Sequence, residues 1–476
     1  MKKWTTAQRY AAYSTYSDAT LTQLIAAQRT SRWHLNYHVQ PRSGLLNDPN
    51  GFSYFNSRWH LFYQNFPFGG VHGLKSWRHV SSSDLFNWQE DDLSLLPQAP
   101  YSTQGVYSGS AIPINDQLFL MYTGNVRTDD GGRISTQLGA WVDANQHLTT
   151  TDLPLINQAT GYTAHFRDPQ ILHVDGHYYA ILGAQRADLQ GQILVYRADT
   201  ATGPWSLVGP LDLGHRDLGY MIECPNLAFV DGHVVLLFCP QGLDRERVPY
   251  ANVYPNMAIV ADDIDWQTAR LINPGPLTNL DLGFDSYATQ VVNGPDGQAH
   301  TISWLGLPDT TYPSDAEGWQ GCLSLVKTLH VIDGQLQQKP VAFPESDVPF
   351  DPFRDTLKGQ EVLYVDLPAA VNGQLTLGNA KERLVLNVTA GQLTIDRHAA
   401  GAAVGSTFGD TRTLPLSAGP HHLALYLDRS TFELFIDDGA QVASGRFFPQ
   451  DDTPWHLTST LNTPVRLTGQ RLPTLY

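Results

Sequence analysis

Cysteine is nearly absent from this chain. Its 476 residues include three, Cys224, Cys239 and Cys322, and no Cys-x-x-Cys pair. That argues against a disulfide framework and against a thiolate zinc site. Basic residues are also scarce: 30 Lys and Arg stand against 46 Asp and Glu, a formal charge of −16. Such a field repels nucleic acid and anionic membrane surfaces, so neither is expected as a partner. No apolar run approaches the roughly 20 residues of a membrane span. The N-terminal stretch MKKWTTAQRYAAY carries two lysines but no apolar core of a signal peptide. The expected location is the cytoplasm. No phosphate-binding loop or dinucleotide fingerprint follows a strand, and neither a metal nor a cofactor is implied.

Aromatic residues are plentiful at 11%, with 11 Trp and 21 Tyr, and hydrophobic content reaches 42%. Such rings fill cores and line sites that stack on sugars. Forty Gly and thirty Pro suit a fold with many turns. The length predicts two domains, one of them large.

Residues 1–31 read as an N-terminal helical extension, with one helical segment over 5–29 that lacks Pro and Gly. Beyond it, short alternating or apolar runs are separated by turn dipeptides, an all-β signature. One unit recurs: strand, tight polar turn, apolar or aromatic strand. Its turns begin at Asn56, Asn115, Asp175, Asp231 and Asp296, at intervals of 59, 60, 56 and 65 residues. Five copies at a period near sixty predict a five-bladed β-propeller over 32–345. A Pro-rich linker is expected at 346–356. The alternating strands and Asn-Gly and Asp-Gly turns of 357–476 predict a C-terminal β-sandwich.

Just before three of the hairpins stand NDPN, RDPQ and ECPN. Local chemistry makes NDPNG a turn, because Asn and Asp bond their own backbone, Pro fixes φ and Gly allows φ > 0. Aligned on Pro49, Pro169 and Pro225, the residues Asp48, Asp168 and Cys224 coincide, and Glu223 falls level with Asn47 and Arg167. Equivalent positions of successive blades ring a propeller's axis, so three carboxyl groups are predicted to meet at the mouth of one funnel.

Two carboxyl groups flanking a sugar C–O bond are the equipment of glycoside hydrolysis. One protonates the leaving oxygen; the other attacks the anomeric carbon or activates water. Asn47 beside Asp48 and Arg167 beside Asp168 can supply donors that keep a carboxylate ionised. Glu223, among the apolar neighbours of YMIECP, is the candidate for the protonated acid.

These residues sit in a pattern that resembles glycoside hydrolase family 32, the invertase, fructanase and sucrose-6-phosphate hydrolase group. NDPNG (Asn47–Gly51), FYQ (Phe62–Gln64), YSGSA (Tyr107–Ala111), RDP (Arg167–Pro169), EC (Glu223–Cys224), DSYA (Asp285–Ala288), GWQGCLSLVKTL and LDRSTFELFIDDG (Leu427–Gly439) all match motifs of that family. The resemblance covers nearly the whole chain from about residue 32 and implies a metal-free retaining mechanism. It implies Asp48 as nucleophile, Glu223 as general acid/base and Asp168 as transition-state stabiliser. Asn47, Gln64, Tyr107, Ser108 and Arg167 would line a fructose pocket, with Tyr287 and Trp304 as additions.

One stretch departs from the family's pattern. Where many members carry a Trp-Gly pair and a Trp-Gly-His-Ala run, this chain reads VHGLKSWRHVSSSDLFNW, with His72, Lys75 and Arg78 around Trp77. These four are candidates to bind a phosphate on the glucose moiety or the glucose itself, with Arg245 and Arg247 as alternative phosphate partners. The expected reaction is cleavage of sucrose 6-phosphate into glucose 6-phosphate and fructose. Plain sucrose or short fructo-oligosaccharides, fructosyl transfer, and a non-catalytic sugar-binding propeller are the alternatives. The ligand is a small sugar or sugar phosphate, and a homodimer stays open.

Overall fold

The structure, a computed structural model, describes residues 3–343, 350–405 and 407–475. Five antiparallel sheets follow one another along the chain and are built around inner strands Gly44–Phe55, Val106–Ile114, Tyr162–Val174, Met221–Val230 and Tyr287–Asn293. Each inner strand packs on the next, and the fifth packs on the first, so the sheets close into a ring of five blades. After the second strand of blade 5 the chain returns to blade 1, where Trp319–Gln320 pairs in parallel with Gly44 and Leu45. This crossing ties the last blade to the first.

The hairpins lie where the turn chemistry put them. Asn56, Asn115, Asp175 and Asp231 all have φ near +50°, and Gly176 and Gly232 follow the last two. Short polar side chains tolerate this left-handed region, which matches the twist of paired strands.

Behind the propeller, two five-stranded sheets form the sandwich. In Arg383–Thr389 the side chains of Leu384, Leu386 and Val388 are buried, alternating with more accessible ones. That is the period of two of a strand covered on one face. The linker expected at 346–356 lies outside the described residues over 346–349.

Two expectations change. The segment 5–29 is not one helix: Thr6–Arg9 and Asp18–Thr30 are α-helical, separated by a single 3₁₀ turn at Tyr13–Thr15. The break has a tertiary cause. Tyr13 and Tyr16 pack on Phe68 of the propeller, at ring distances of 5.3 and 3.9 Å. Ser17 then caps the second helix through Thr20 N–H. The first part of the segment lies on blade 1, and the second helix also packs on the 3₁₀ turn Pro313–Glu317. Nor is NDPNG a turn between elements; it lies inside the inner strand of blade 1.

Candidate active site

The five inner strands share an irregularity that the pairing register locates. In blade 1, Leu46 pairs with Asn65 and Pro49 with Tyr63, so Asn47 and Asp48 together face Gln64 alone. Blades 3, 4 and 5 repeat this at Asp168–Pro169, Cys224–Pro225 and Ala288–Thr289, and blade 2 inserts Ser108. Each is a β-bulge, one extra residue that kinks a strand and re-aims its side chains. Asp168, Cys224 and Ala288 take φ of 64°, 49° and 51°, a left-handed backbone uncommon for residues other than glycine. Here the polar NDPNG chemistry builds a bulge, because ladder pairing on both sides holds the strand.

The bulges align two positions of every blade at the funnel mouth: Asn47, Tyr107, Arg167, Glu223 and Tyr287, then Asp48, Ser108, Asp168, Cys224 and Ala288. The amide that follows each bulge has a different task. Gln170 donates to Leu227 O at 2.9 Å and accepts from Leu227 N at 2.6 Å. Asn50 accepts from Gly109 N at 2.9 Å, and Gln290 donates to Gly109 O at 2.7 Å. The Asn and Gln of NDPN and RDPQ thus bond neighbouring inner strands and hold the carboxyl groups at a fixed spacing.

Asp48 is half-buried and doubly held. Its Oδ2 accepts from Ser108 Oγ at 2.5 Å, its Oδ1 from Asn47 Nδ2 at 2.9 Å. Gln64 accepts from Asn47 at 2.8 Å and donates to Ser108 at 2.8 Å. Lys75 Nζ donates to Asn47 Oδ1. Burial pushes the Lys75 ammonium down to about 7, against the pull of Asp48.

Glu223 meets the other half of the funnel. Arg167 donates to its Oε1 through Nη2 at 2.6 Å and Nε at 3.2 Å. Its Oε2 accepts from Tyr287 OH at 2.6 Å and Gln241 Nε2 at 2.7 Å. The apolar surroundings expected from YMIECP are therefore not what this carboxyl meets: Met221 and Ile222 enter the core, and the Glu223 side chain emerges among donors. Asp168 is the buried acid. Burial and the nearby Glu223 and Asp48 charges push it up to about 7, although Arg167 pulls the other way. Its Oδ2 accepts from Cys224 N at 3.1 Å.

These groups line one cavity of about 350 Å³ that also includes His72 and Trp304. His72 lies edge-on to Trp304 at 6.1 Å. Burial, with Lys75 and Arg9 nearby, holds its pKa well below the usual imidazole range, so it is neutral. The Trp304 indole N–H is buried and has no hydrogen-bond partner among the described residues.

Four residues assigned from sequence to the phosphate or glucose are placed elsewhere. Trp77 is fully buried beneath blades 1 and 2, its indole donating to Tyr107 O at 3.1 Å. Arg78, one residue on and so on the opposite face of the strand, pairs with Glu90 at 2.9 Å. Arg245 donates to Asn252 O and lies over Tyr250 and Phe408, and Arg247 reaches Asp217 O at the exposed surface. None of the four lines the cavity.

The Glycosyl hydrolases family 32 N-terminal domain matches residues 38–340, and the family 32 C-terminal domain matches residues 365–464. The chain belongs to glycoside hydrolase family 32. This glycoside hydrolase is 47% identical to a sucrose-6-phosphate hydrolase of Pediococcus pentosaceus over 460 residues, covering 94% of this chain and 92% of the relative. The solved sucrose-6-phosphate hydrolase of Lactobacillus gasseri matches it with a TM-score of 0.94 and 42% identity over the full length of both chains. A family 32 beta-fructofuranosidase of Bombyx mori matches with a TM-score of 0.84 and 27% identity, covering 98% and 99% of the two chains.

Several cavity residues of the family 32 enzyme escaped the sequence reading. Gln241 lies at the end of the second strand of blade 4, outside any motif. The blade alignment gives no signal for it, since Gln64 stands two residues before the end of its strand and Gln241 at the end of its own. Tyr10 reaches the cavity from the N-terminal segment, and Arg133 and His165 from blades 2 and 3.

Proposed function

We propose that the chain hydrolyses sucrose 6-phosphate to glucose 6-phosphate and fructose, with retention at the fructosyl carbon. The observation that carries the chemistry is the convergence of Asp48, Asp168 and Glu223 from equivalent bulges into one cavity. The substrate assignment is supported by the names of the Pediococcus and Lactobacillus relatives. The site of action is the cytoplasm, where sugar imported by a phosphorylating transporter arrives as the ester; among the described residues no helix is long and apolar enough to cross a membrane.

In this reading, Asp48 attacks the anomeric carbon of the fructosyl unit as Glu223 gives its proton to the bridging oxygen. Glucose 6-phosphate leaves, and a fructosyl ester on Asp48 remains. Glu223 then takes a proton from water, the hydroxide oxygen bonds to the anomeric carbon, and the Asp48 carboxylate is released. Ser108 and Asn47 keep Asp48 oriented. Burial and the neighbouring carboxylates favour the protonated form of Asp168, and fructose hydroxyls donating to it favour its ionised form. Gln64, Tyr107, Tyr287 and the free indole N–H of Trp304 bind the remaining sugar oxygens.

The test is kcat/KM on sucrose 6-phosphate and on sucrose, side by side, with products identified at high substrate. A tenfold or greater preference for the ester, with free fructose as product, supports the reading. Equal rates point to a general fructosidase, and oligosaccharide products to a transferase. Asp48→Ala separates both from a sugar-binding propeller, which would have no activity to lose.

A further inference from the structure

Five basic side chains line the cavity: His72, Lys75, Arg133, His165 and Arg167. Four are committed or neutral. Arg167 is ion-paired with Glu223 at 2.6 Å and lies 3.8 Å from Asp168. Lys75 is bonded to Asn47 and faces Asp48. Burial and adjoining cations keep His72 and His165 uncharged, His165 with its pKa down at about 4. Arg133 remains. It forms no ion pair with any described acid, and its Nε is buried without a hydrogen-bond partner.

The position of Arg133 is costly. It begins the third strand of blade 2, directly opposite Arg127 across the hairpin. Like charges facing each other across two strands destabilise the pair. The intervening loop holds Asp129 and Asp130, yet Asp130 is turned inward to Thr128 and Gly132 N–H. On a chain of net charge −16, an arginine pair with no acidic partner among the described residues favours an anion beside it. The surroundings suit an oxyanion at the rim. The Arg133 guanidinium stands 5.9 Å from the Tyr107 ring, and Tyr10 adds a phenol from the N-terminal segment. That segment is anchored here: Leu74 N donates to Arg9 O at 2.7 Å and Arg9 Nη1 to His72 O at 3.4 Å. On the blade-5 side the rim carries Asp309, which repels an anion.

We propose that Arg133, supported by Arg127 and by Tyr10 of the N-terminal segment, binds the phosphate of the substrate's glucose moiety and sets the preference for the phosphorylated sugar. The planar guanidinium offers two parallel N–H donors that match phosphate oxygens. The inference rests on the sucrose 6-phosphate reading above and replaces the Arg78 and Arg245 assignments with a different blade.

The deciding quantity is the ratio of kcat/KM on sucrose 6-phosphate to that on sucrose, which does not depend on the fraction of folded enzyme. It is measured in the full-length wild type, Arg133→Gln, Arg133→Lys and Tyr10→Phe. The expected result is at least a tenfold drop in the ratio for Arg133→Gln, expressed in KM for the ester. Arg133→Lys and Tyr10→Phe should show smaller drops. Competitive inhibition by glucose 6-phosphate should weaken at least tenfold in Arg133→Gln. A wild-type preference that survives in Arg133→Gln overturns the assignment and leaves the substrate reading standing. A wild type with no preference overturns both.

Discussion

Asp428 of the sandwich holds His38 at the entrance to the propeller, 390 residues earlier in the chain, through the His38 backbone N–H at 3.0 Å and ring Nδ1 at 2.8 Å. The same carboxylate accepts from Asn36 N at 2.6 Å and Tyr37 N at 3.0 Å, so three successive N–H groups point at one buried anion. His38 Nε2 completes the cluster with Glu433 at 3.0 Å. Both acids belong to the LDRSTFELFIDDG stretch, which thus docks the two domains, and neither acid lines the cavity.

Asp428→Asn should destabilise the protein by about 3–5 kcal/mol, because it leaves buried donors facing a weaker acceptor. The cluster also predicts a pH dependence. Burial disfavours the His38 imidazolium, but the hydrogen bonds it donates to Asp428 and Glu433 outweigh that and raise its pKa. A raised folded-state value contributes stability that is complete below about 6.5 and lost as pH rises through the folded pKa. Denaturant unfolding from pH 6 upward should show this decline in wild type and a flatter profile in His38→Gln. Parallel profiles would remove His38 as its source.

The amides between blades give a second prediction. Gln170 is buried, and its side chain satisfies both the N–H and the C=O of Leu227. Gln170→Leu strands two backbone groups at about 1–3 kcal/mol each. It should lower stability by about 2–6 kcal/mol and also reduce kcat, because blades 3 and 4 carry Asp168 and Glu223. A loss of stability with unchanged kcat would show that the carboxyl spacing does not depend on this link.

Asp168 is predicted to act against the stability of the fold. Its folded-state pKa, up at about 7, means that the folded chain holds this proton more tightly than the unfolded chain. Stability is therefore lost as pH rises from about 4 to about 7. Asp168→Asn, without that titration, should be nearly inactive yet more stable than wild type, by a margin that grows across this window to about 1–3 kcal/mol. Thermal unfolding at pH 5 and pH 8 checks it, and a constant margin would contradict it.

The blades and the acid trio were legible because both depend on local chemistry that repeats. Asn or Asp at a left-handed turn marks four of the five hairpins, and an acid beside Pro marks the same phase in three of them. The bulges were not legible as bulges, since Asn, Pro and Gly serve a turn equally well and only the ladder on either side distinguishes the two. The N-terminal helix was overread because Tyr13 and Tyr16 find Phe68 across the chain, and propensity cannot register that. Trp77 and Arg78 were assigned by their place in one stretch, whereas the strand's period of two sends Arg78 to the opposite face and the packing buries Trp77. Arg133 and Gln241 come from strands whose own sequence carries no motif.

Gln241 supplies the last prediction. It donates to Glu223 Oε2 beside Tyr287, while Arg167 holds Oε1. Each of these bonds fixes the plane in which the carboxyl group is held. Gln241→Leu removes one donor from that shell and leaves the others in place. Misorientation should lower kcat by about 10–100-fold, since positioned proton transfer contributes roughly 10²–10⁴ in rate. Gln241→Glu keeps the length of the side chain but removes the donor, and should lose kcat as well. A kcat close to wild type in both variants would mean that Gln241 does not position the acid.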